Sequence, residues 1–213
     1  PGTDTLNVAA GANITASGSG SITVKVSRNV SLNTGSSLTT VNGAILIEAN
    51  TQTVATTGGF AGVLVDGALI QVTGTAACSV TGRGGNSGDQ QAGIKVANGG
   101  DIIGGSSASL TLVGTGGPST GIGNAGVRLE GEESSITSAG SAVSVTGQGG
   151  GSTASGYNCG VMVFDSAILT AGGTGPVTLV GTGGQTEGTY NYGVLIQTAA
   201  TITSGGGNVT VTG

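Results

Sequence analysis

The chain has 213 residues, of which 46 are glycine and only 7% are charged, with a formal net charge of −5. This charge argues against binding nucleic acid through its phosphates. No stretch is apolar over the roughly 18 residues of a membrane-spanning helix, and none has the pattern of a signal peptide. Val, Ile and Thr dominate over helix-forming runs, so we predict an all-β chain.

The N-terminal part of the chain, 1–61, contains short segments in which aliphatic residues alternate with others. Side chains of a strand alternate between its two faces, so each segment places two aliphatic side chains on one face. The segments are Leu6-Asn7-Val8, Val24-Lys25-Val26 and Ile45-Leu46-Ile47. We predict that each is the first strand of a coil, and that 1–61 forms short coils without long loops.

From Gly62 onward, two phrases recur at a nearly constant distance. The first phrase resembles Gly-Val-x-Val, and it begins at Gly62, Gly93, Gly126, Gly160 and Gly193. The second phrase is Val-Thr-Gly or Leu-Val-Gly, and it ends at Gly82, Gly114, Gly147, Gly181 and Gly213. The first phrase therefore returns with a period of roughly 33 residues, and a fixed period in this range indicates a repeat architecture.

Each repeat divides into a core of roughly 20 residues, whose length is nearly constant, and a connection of roughly 12 residues, whose length varies as surface loops do. The core contains a first strand at the Gly-Val phrase, a short middle strand such as Leu69-Ile70, and a closing strand before the second glycine. Three short strands per repeat predict a parallel β-helix, a β-solenoid, in which each coil pairs with its neighbours about 4.8 Å away. We predict about eight coils in one domain, 1–213, with loop-bearing repeats over 62–213.

The variable residues of the first strands mark the outward face of the sheet that these strands form. They are Leu64, Lys95, Arg128, Met162 and Leu195. A column that accepts both Lys and Leu is predicted to face solvent. The four long connections, 83–92, 115–125, 148–159 and 182–192, are predicted to stack as loops on one side of the rod.

The loops contain the candidate interaction residues of the chain. These are Tyr157, Tyr190, Tyr192, Asn124, Asn158 and Asn191. The three asparagines stand two residues before a Gly-Val phrase, which favours a buried amide ladder that satisfies the loop backbone. The tyrosines either pin the glycine-rich loops or recognise a neighbouring rod, a glycan or a cell surface.

The charged residues give little support for catalysis. Lys95, Arg128 and Glu130 fall on one predicted face, with Glu132 and Glu133 in the following turn. Polysaccharide lyases and hydrolases cluster carboxylates, or acids with Lys or Arg, on neighbouring coils, and glycoside hydrolysis needs two carboxyls at a set separation. A salt-bridged cluster that relieves the Lys–Arg repulsion needs only one acid. The chain has no His and no Trp. We predict no catalytic, cofactor-binding or metal-binding residues, no cofactor, and no enzymatic activity.

Two further patterns have plain structural interpretations. Cys78 falls in an inward aliphatic column, and Cys159 falls in the column of Ala61, Ala92, Ala125 and Tyr192. The two cysteines are about three coils apart, which predicts that both are buried and unbridged. Outward Ser and Thr pairs such as Ser79/Thr81 and Ser144/Thr146 resemble the flat face of ice-binding solenoids. Val113 and Val180 interrupt that array, and β-branched residues suit any strand face.

Two stretches carry a resemblance to known proteins. They are Ala-x-Ile-Thr-Ser-Gly-Gly-Gly-Asn-Val-Thr-Val-Thr-Gly at 200–213 and Ser-Leu-Thr-Thr-Val-Asn-Gly-Ala-Ile-Leu-Ile-Glu-Ala at 37–49. Both resemble repeats of giant bacterial surface and secreted proteins, including filamentous-haemagglutinin-type exoproteins and autotransporter passengers. The resemblance implies a β-helix rod, export across a bacterial envelope, and adhesive or structural use.

These observations predict a structural or adhesive segment of a larger repetitive bacterial protein, which forms an extracellular rod, fibre or surface layer. The ends show no convincing cap, so we expect further repeats or neighbouring copies as partners. A glycan or cell surface is a second expected partner, and nucleic acid and a membrane span are not expected. The alternatives are a glycan- or ice-binding module and, less favoured, a polysaccharide lyase or hydrolase.

Overall fold

A computed structural model describes residues 2–213 and shows a parallel β-solenoid with three strands per coil. The first two coils contain β1 (Thr5–Val8), β2 (Asn13–Ala16), β3 (Ile22–Val26), β4 (Asn29–Leu32), β5 (Ser37–Thr40) and β6 (Ile45–Ala49). The next two contain β7 (Val63–Asp66), β8 (Leu69–Val72), β9 (Cys78–Arg83), β10 (Ile94–Ala97), β11 (Asp101–Gly104) and β12 (Leu110–Thr115). The last three contain β13 (Val127–Glu130), β14 (Ser135–Ser138), β15 (Val143–Gln148), β16 (Val161–Phe164), β17 (Ile168–Thr170), β18 (Val177–Thr182), β19 (Val194–Ile196), β20 (Thr201–Thr203) and β21 (Val209–Thr212).

The strands form three seven-stranded parallel sheets, one on each side of the rod. The first sheet runs β1-β4-β7-β10-β13-β16-β19, the second β2-β5-β8-β11-β14-β17-β20, and the third β3-β6-β9-β12-β15-β18-β21. The all-β parallel solenoid is therefore confirmed, with seven coils rather than eight. Six steps of about 4.8 Å give a rod of about 29 Å between the first and last coils. No helix that could span a bilayer occurs among residues 2–213.

The assignment of two early segments to the first sheet was wrong. Val24 pairs with Ile47 in the third sheet, and Ile47 pairs with Val80 of β9. Only Leu6-Asn7-Val8 lies in the first sheet, where β1 pairs with β4. Alternating aliphatic segments look alike in all three sheets, and counting every one as a first strand produced the extra coil.

Residues 50–61 form a long loop that sequence reasoning missed. Ala49 lies beside Gly82 in the third sheet, so the loop after Ala49 leaves the rod at the same place as residues 83–92. The two loops stack: the Gly85 amide donates to the Phe60 carbonyl and the Asn86 amide to the Gly58 carbonyl, at 2.9 and 2.8 Å. Residues 2–213 therefore contain five stacked loops, and within this range only the first coil passes into the next without one.

The core consists of inward columns of aliphatic side chains that continue from coil to coil. In the third sheet, one such column is Ile45, Cys78, Leu110, Val143, Val177 and Val209. Its interior members are at most 1% exposed, whereas Val209, in the last of the described coils, is 44% exposed. Burial of β-branched and leucine side chains along the whole axis is the main stabilising term for such a stack.

Candidate functional site on the loop stack

The recurring glycines form the necks of the long loops. At the neck of loop 83–92, a Cβ added to Gly82 would overlap the Gly93 carbonyl oxygen, and a Cβ on Gly93 would lie 2.6 Å from the Gly82 carbonyl oxygen. The pairs Gly114–Gly126, Gly147–Gly160 and Gly181–Gly193 repeat this contact. Only residues without a side chain allow the two strands of each neck to approach so closely. The two sequence phrases are therefore the two sides of one constriction.

A ladder of side-chain amides connects successive loops. Each Oδ1 or Oε1 accepts from the backbone amide of the equivalent residue one coil earlier. The donors and acceptors are Phe60 N to Gln91 Oε1, Gln91 N to Asn124 Oδ1, Asn124 N to Asn158 Oδ1, and Asn158 N to Asn191 Oδ1. The predicted amide ladder is therefore present in the structure, and it also includes Gln91, which sequence reasoning missed. Gln91 stands two residues before Gly93, so alignment of all five phrases would have found it.

The other half of each amide closes its own loop. The Nδ2 groups of Asn124, Asn158 and Asn191 donate to the carbonyls of Gly121, Ser155 and Gly188, at 2.6, 3.0 and 2.8 Å. Asn124 and Asn158 are fully buried, and Asn191, in the last loop, is half-buried. A buried side-chain amide whose oxygen and nitrogen are both hydrogen-bonded stabilises the folded loop. Without it, the backbone groups that it pairs with would be buried without a partner, which costs free energy.

The three tyrosines form an exposed aromatic row on these loops. The Tyr157 and Tyr190 rings are stacked with centroids 4.6 Å apart and planes at 24°, and the Tyr192 ring lies 6.2 Å from that of Tyr190. Each side chain is 43–49% exposed. The stack shows that the tyrosines contribute to packing between loops, but half of their surface stays available to other molecules.

Tyr157 and Tyr190 also occupy an unusual backbone position. The residue just before each ladder amide is left-handed in four successive loops, with φ of 57° at Gln90, 76° at Gly123, 58° at Tyr157 and 63° at Tyr190. Glycine adopts this region freely, whereas a residue with a side chain adopts it at a cost of roughly 1–2 kcal/mol. Two bulky aromatic residues therefore stand where the fold itself favours glycine.

The outward column of the first sheet is not fully exposed to solvent, contrary to expectation. Met162 is 6% exposed, and the Lys95 and Arg128 side chains are 21% and 13% exposed. Loop residues cover this face: Gln90, Ile122 and Tyr157 lie against Arg128, Met162 and Phe164 around one cleft. The sequence shows that loops leave the rod, but not that they fold back over the first sheet.

The charged residues on this face form one compact cluster. Lys95 Nζ lies 2.9 Å from Glu130 Oε1, and Arg128 Nη2 and Nε both lie 2.5 Å from Glu130 Oε2. The Arg128 guanidinium also lies 4.9 Å from the centroid of the Phe164 ring. Burial raises the pKa of the Glu130 carboxyl, but the hydrogen bond from Lys95 and the charge and hydrogen bond of Arg128 outweigh it, so that the pKa lies below the ordinary 4.5.

The cluster has the geometry expected of a charge-relieving bridge. Glu130 separates two adjacent cations that pair in register, Lys95 and Arg128. Glu132 and Glu133 are exposed in the next turn and form no ion pair within residues 2–213. Over the same residues, no group of three His, Cys, Asp or Glu side chains is placed to hold a metal ion. The absence of enzymatic activity stays a prediction.

The cysteines and the Ser/Thr columns lie where the sequence placed them. Cys78 and Cys159 are both unbridged and buried, and burial raises the pKa of the Cys78 thiol to about 12. In the third sheet, Ser79, Thr111, Ser144 and Thr178 align in register, and Thr81, Val113, Thr146 and Val180 form the next outward column. Valine and threonine alternate in this second column, so the hydroxyl array is not continuous.

Comparison of the chain with protein-family models, with curated proteins and with solved structures gives no significant match.

Proposed function

We propose that this chain is a structural, adhesive segment of an extracellular or surface-bound bacterial protein, and that it forms part of a rod, fibre or surface layer. The β-solenoid fold fits a structural repeat protein. The observation that carries the proposal is the continuity of three parallel sheets and one aliphatic core over seven coils. Such an axial stack gives length and stiffness from short repeats.

The surface chemistry agrees with a structural function outside the cell. Only 7% of the residues are charged, and from β9 onward the outward columns of the third sheet that begin at Ser79 and Thr81 consist of Ser, Thr and Val. The bacterial surface assignment itself depends on the resemblance of residues 37–49 and 200–213 to repeats of giant exported proteins. Antibodies raised against this chain should label intact cells of the organism that carries it. Labelling only after permeabilisation would contradict the extracellular assignment.

Neighbouring copies or further repeats are the proposed partners along the axis. The last coil leaves aliphatic side chains of its inward columns uncovered, with Val209 and Val211 at 44% and 46% exposure. An open sheet edge beside apolar side chains favours pairing with a similar coil. The first coil of a second copy offers the same three-strand cross-section.

The axial contact is tested by sedimentation velocity over a concentration series. Val211→Lys places a charge on the open end and should weaken self-association at least tenfold. Val113→Lys is the matched control, because Val113 is 38% exposed on the outward face of the third sheet, away from the end. Equal association of both variants would contradict end-to-end contact.

A further inference from the structure

The loop stack contains a slot one ring thick. The equivalent positions Gln90, Gly123, Tyr157 and Tyr190 follow one another along the axis, and backbone hydrogen bonds from Gln90 to Ile122, from Gly123 to Gly156 and from Tyr157 to Thr189 fix this register. Tyr190 covers one face of the Tyr157 ring at 4.6 Å. At the equivalent position of the preceding loop, Gly123 has no side chain that could cover the other face, and Gly123 and Tyr157 line one cleft.

The gap at Gly123 is a cleft of about 220 Å³. Gln90 and Tyr157 both line the cleft, and their backbone positions are two coil steps, or about 9.6 Å, apart along the axis. Arg128, Met162 and Phe164 of the first sheet form its floor, and Ile122, which is 52% exposed, forms part of its rim. The volume is below that of drug-sized pockets, about 300–1,000 Å³, and suits a single ring.

We propose that this slot binds one pyranose ring of a glycan, with the ring stacked on Tyr157. This goes beyond the structural function proposed above and can fail independently of it. An aromatic face offers a pyranose apolar contact, while polar groups around it fix orientation.

The polar groups of the slot are donors. Arg128 Nε and Nη2 contact Glu130 Oε2, and Gln90 Oε1 accepts a hydrogen bond from Lys95 Nζ. Arg128 Nη1 and Gln90 Nε2 donate no hydrogen bond to another group of residues 2–213. A Cβ added at Gly123 would lie 3.7 Å from Arg128 Nη1, so this donor borders the empty position. A pyranose carries acceptor oxygens around its ring, whereas an aromatic side chain of a partner protein carries at most one. The donors therefore favour a sugar.

The backbone of Tyr157 supports the same proposal. Its left-handed φ of 58° is one that Gly123 adopts in the preceding loop without strain. A strained aromatic residue, exposed beside a cleft, points to a use other than packing alone. The stack with Tyr190 fixes the ring in place, which reduces the entropy lost when a ligand binds.

The test uses saturation-transfer NMR with two hexasaccharides, cellohexaose as a neutral probe and hexagalacturonic acid as an acidic probe. Because the slot holds one ring, we expect weak binding of at least one probe, with Kd of about 1 mM. Gly123→Tyr fills the slot with a residue that the same backbone position accepts in the two following loops. It should weaken binding at least tenfold.

Two further variants complete the design. Tyr157→Gly removes the stacking wall while suiting the left-handed backbone, and it should also weaken binding at least tenfold, even if Gly123→Tyr fails to fold. Val54→Ala changes an exposed side chain of loop 50–61 that does not line the slot, and it should bind as the original chain does. The proposal is overturned if neither hexasaccharide binds, if Gly123→Tyr folds and binds equally well, or if N-acetyltyrosinamide occupies the slot and the sugars do not.

Discussion

The rod core and the loop stack repeat with the same axial period, yet different interactions hold them. In the core, aliphatic side chains such as Leu112 and Val145 are completely buried on neighbouring coils. In the loops, few aliphatic side chains are buried, and close contacts at the glycine necks and the ladder of side-chain amides hold neighbouring loops together. The period of a solenoid therefore does not depend on one type of contact. Core contacts are shared along the whole rod, whereas each ladder amide serves two adjacent loops.

The largest effect should come from the core. Leu112→Ala removes a fully buried side chain in the middle of the rod. It should lower the free energy of unfolding by about 2–5 kcal/mol, measured by urea denaturation. Val113→Ala is the matched control, since the next residue faces outward and is 38% exposed. A loss of similar size in the two variants would show that the core columns are misplaced.

A smaller and more local effect should follow from breaking the ladder. Asn124→Ala leaves the backbone amide of Gln91 and the carbonyl of Gly121 without this partner. The substitution should lower the free energy of unfolding by about 1–3 kcal/mol. Hydrogen exchange should show lost protection at the Gln91 amide, with little change in the core strands.

The control for the ladder is the half-buried amide of the last loop. Asn191→Ala should cost less than Asn124→Ala, because water can reach the half-buried Asn191, whereas Asn124 is fully buried. If loss of protection after Asn124→Ala spread evenly through the third sheet, loops and core would form one unit and the distinction between them would fail.

The smallest of these effects belongs to the ion cluster and depends on pH. Glu130→Gln leaves Lys95 and Arg128 side by side. It should lower the free energy of unfolding at neutral pH by about 1–2 kcal/mol. The pKa of Glu130 is lowered in the folded chain, so its contribution is complete above 4.5 and is lost as the pH falls through the lowered folded-state pKa. The two proteins should become equally stable in acid.

Glu48→Gln is the control for the ion cluster. Glu48 pairs with Lys25, whose side chain is 60% exposed, and such exposed pairs contribute little. Thermal unfolding across a pH series measures both differences. A Glu130→Gln difference that persisted unchanged in strong acid would mean that the carboxylate charge is not its source.

The fold was predictable because the aliphatic columns and the glycine phrases recur with one period. The recurring phrase indicated the strands of the last five coils, and the position of Asn158 before Gly160 indicated the amide ladder. The early coils were harder, since Ile45-Leu46-Ile47 has the same alternation as any other inward strand. Which sheet it joins depends on pairing with β9, which no local pattern shows.

The candidate site was predictable only in part. Tyr157 and Tyr190 were identifiable from their position in the loops, but their stacking and left-handed backbone were not. The slot exists because Gly123 has no side chain beside Tyr157 and because the loops fold over Arg128 and Met162. These are relations between side chains of different coils and faces, and a single sequence contains no direct sign of them.

Distances between spin labels on one outward column test the seven-coil solenoid most directly. Thr23 and Thr210 occupy the same column six coil steps apart, and Ser79 and Thr210 are four steps apart. With Cys78→Val and Cys159→Ala as the background, labels at these pairs should lie about 29 Å and about 19 Å apart. Distances that did not scale with the number of coils, or equal distances for the two pairs, would contradict the structure on which every proposal above depends.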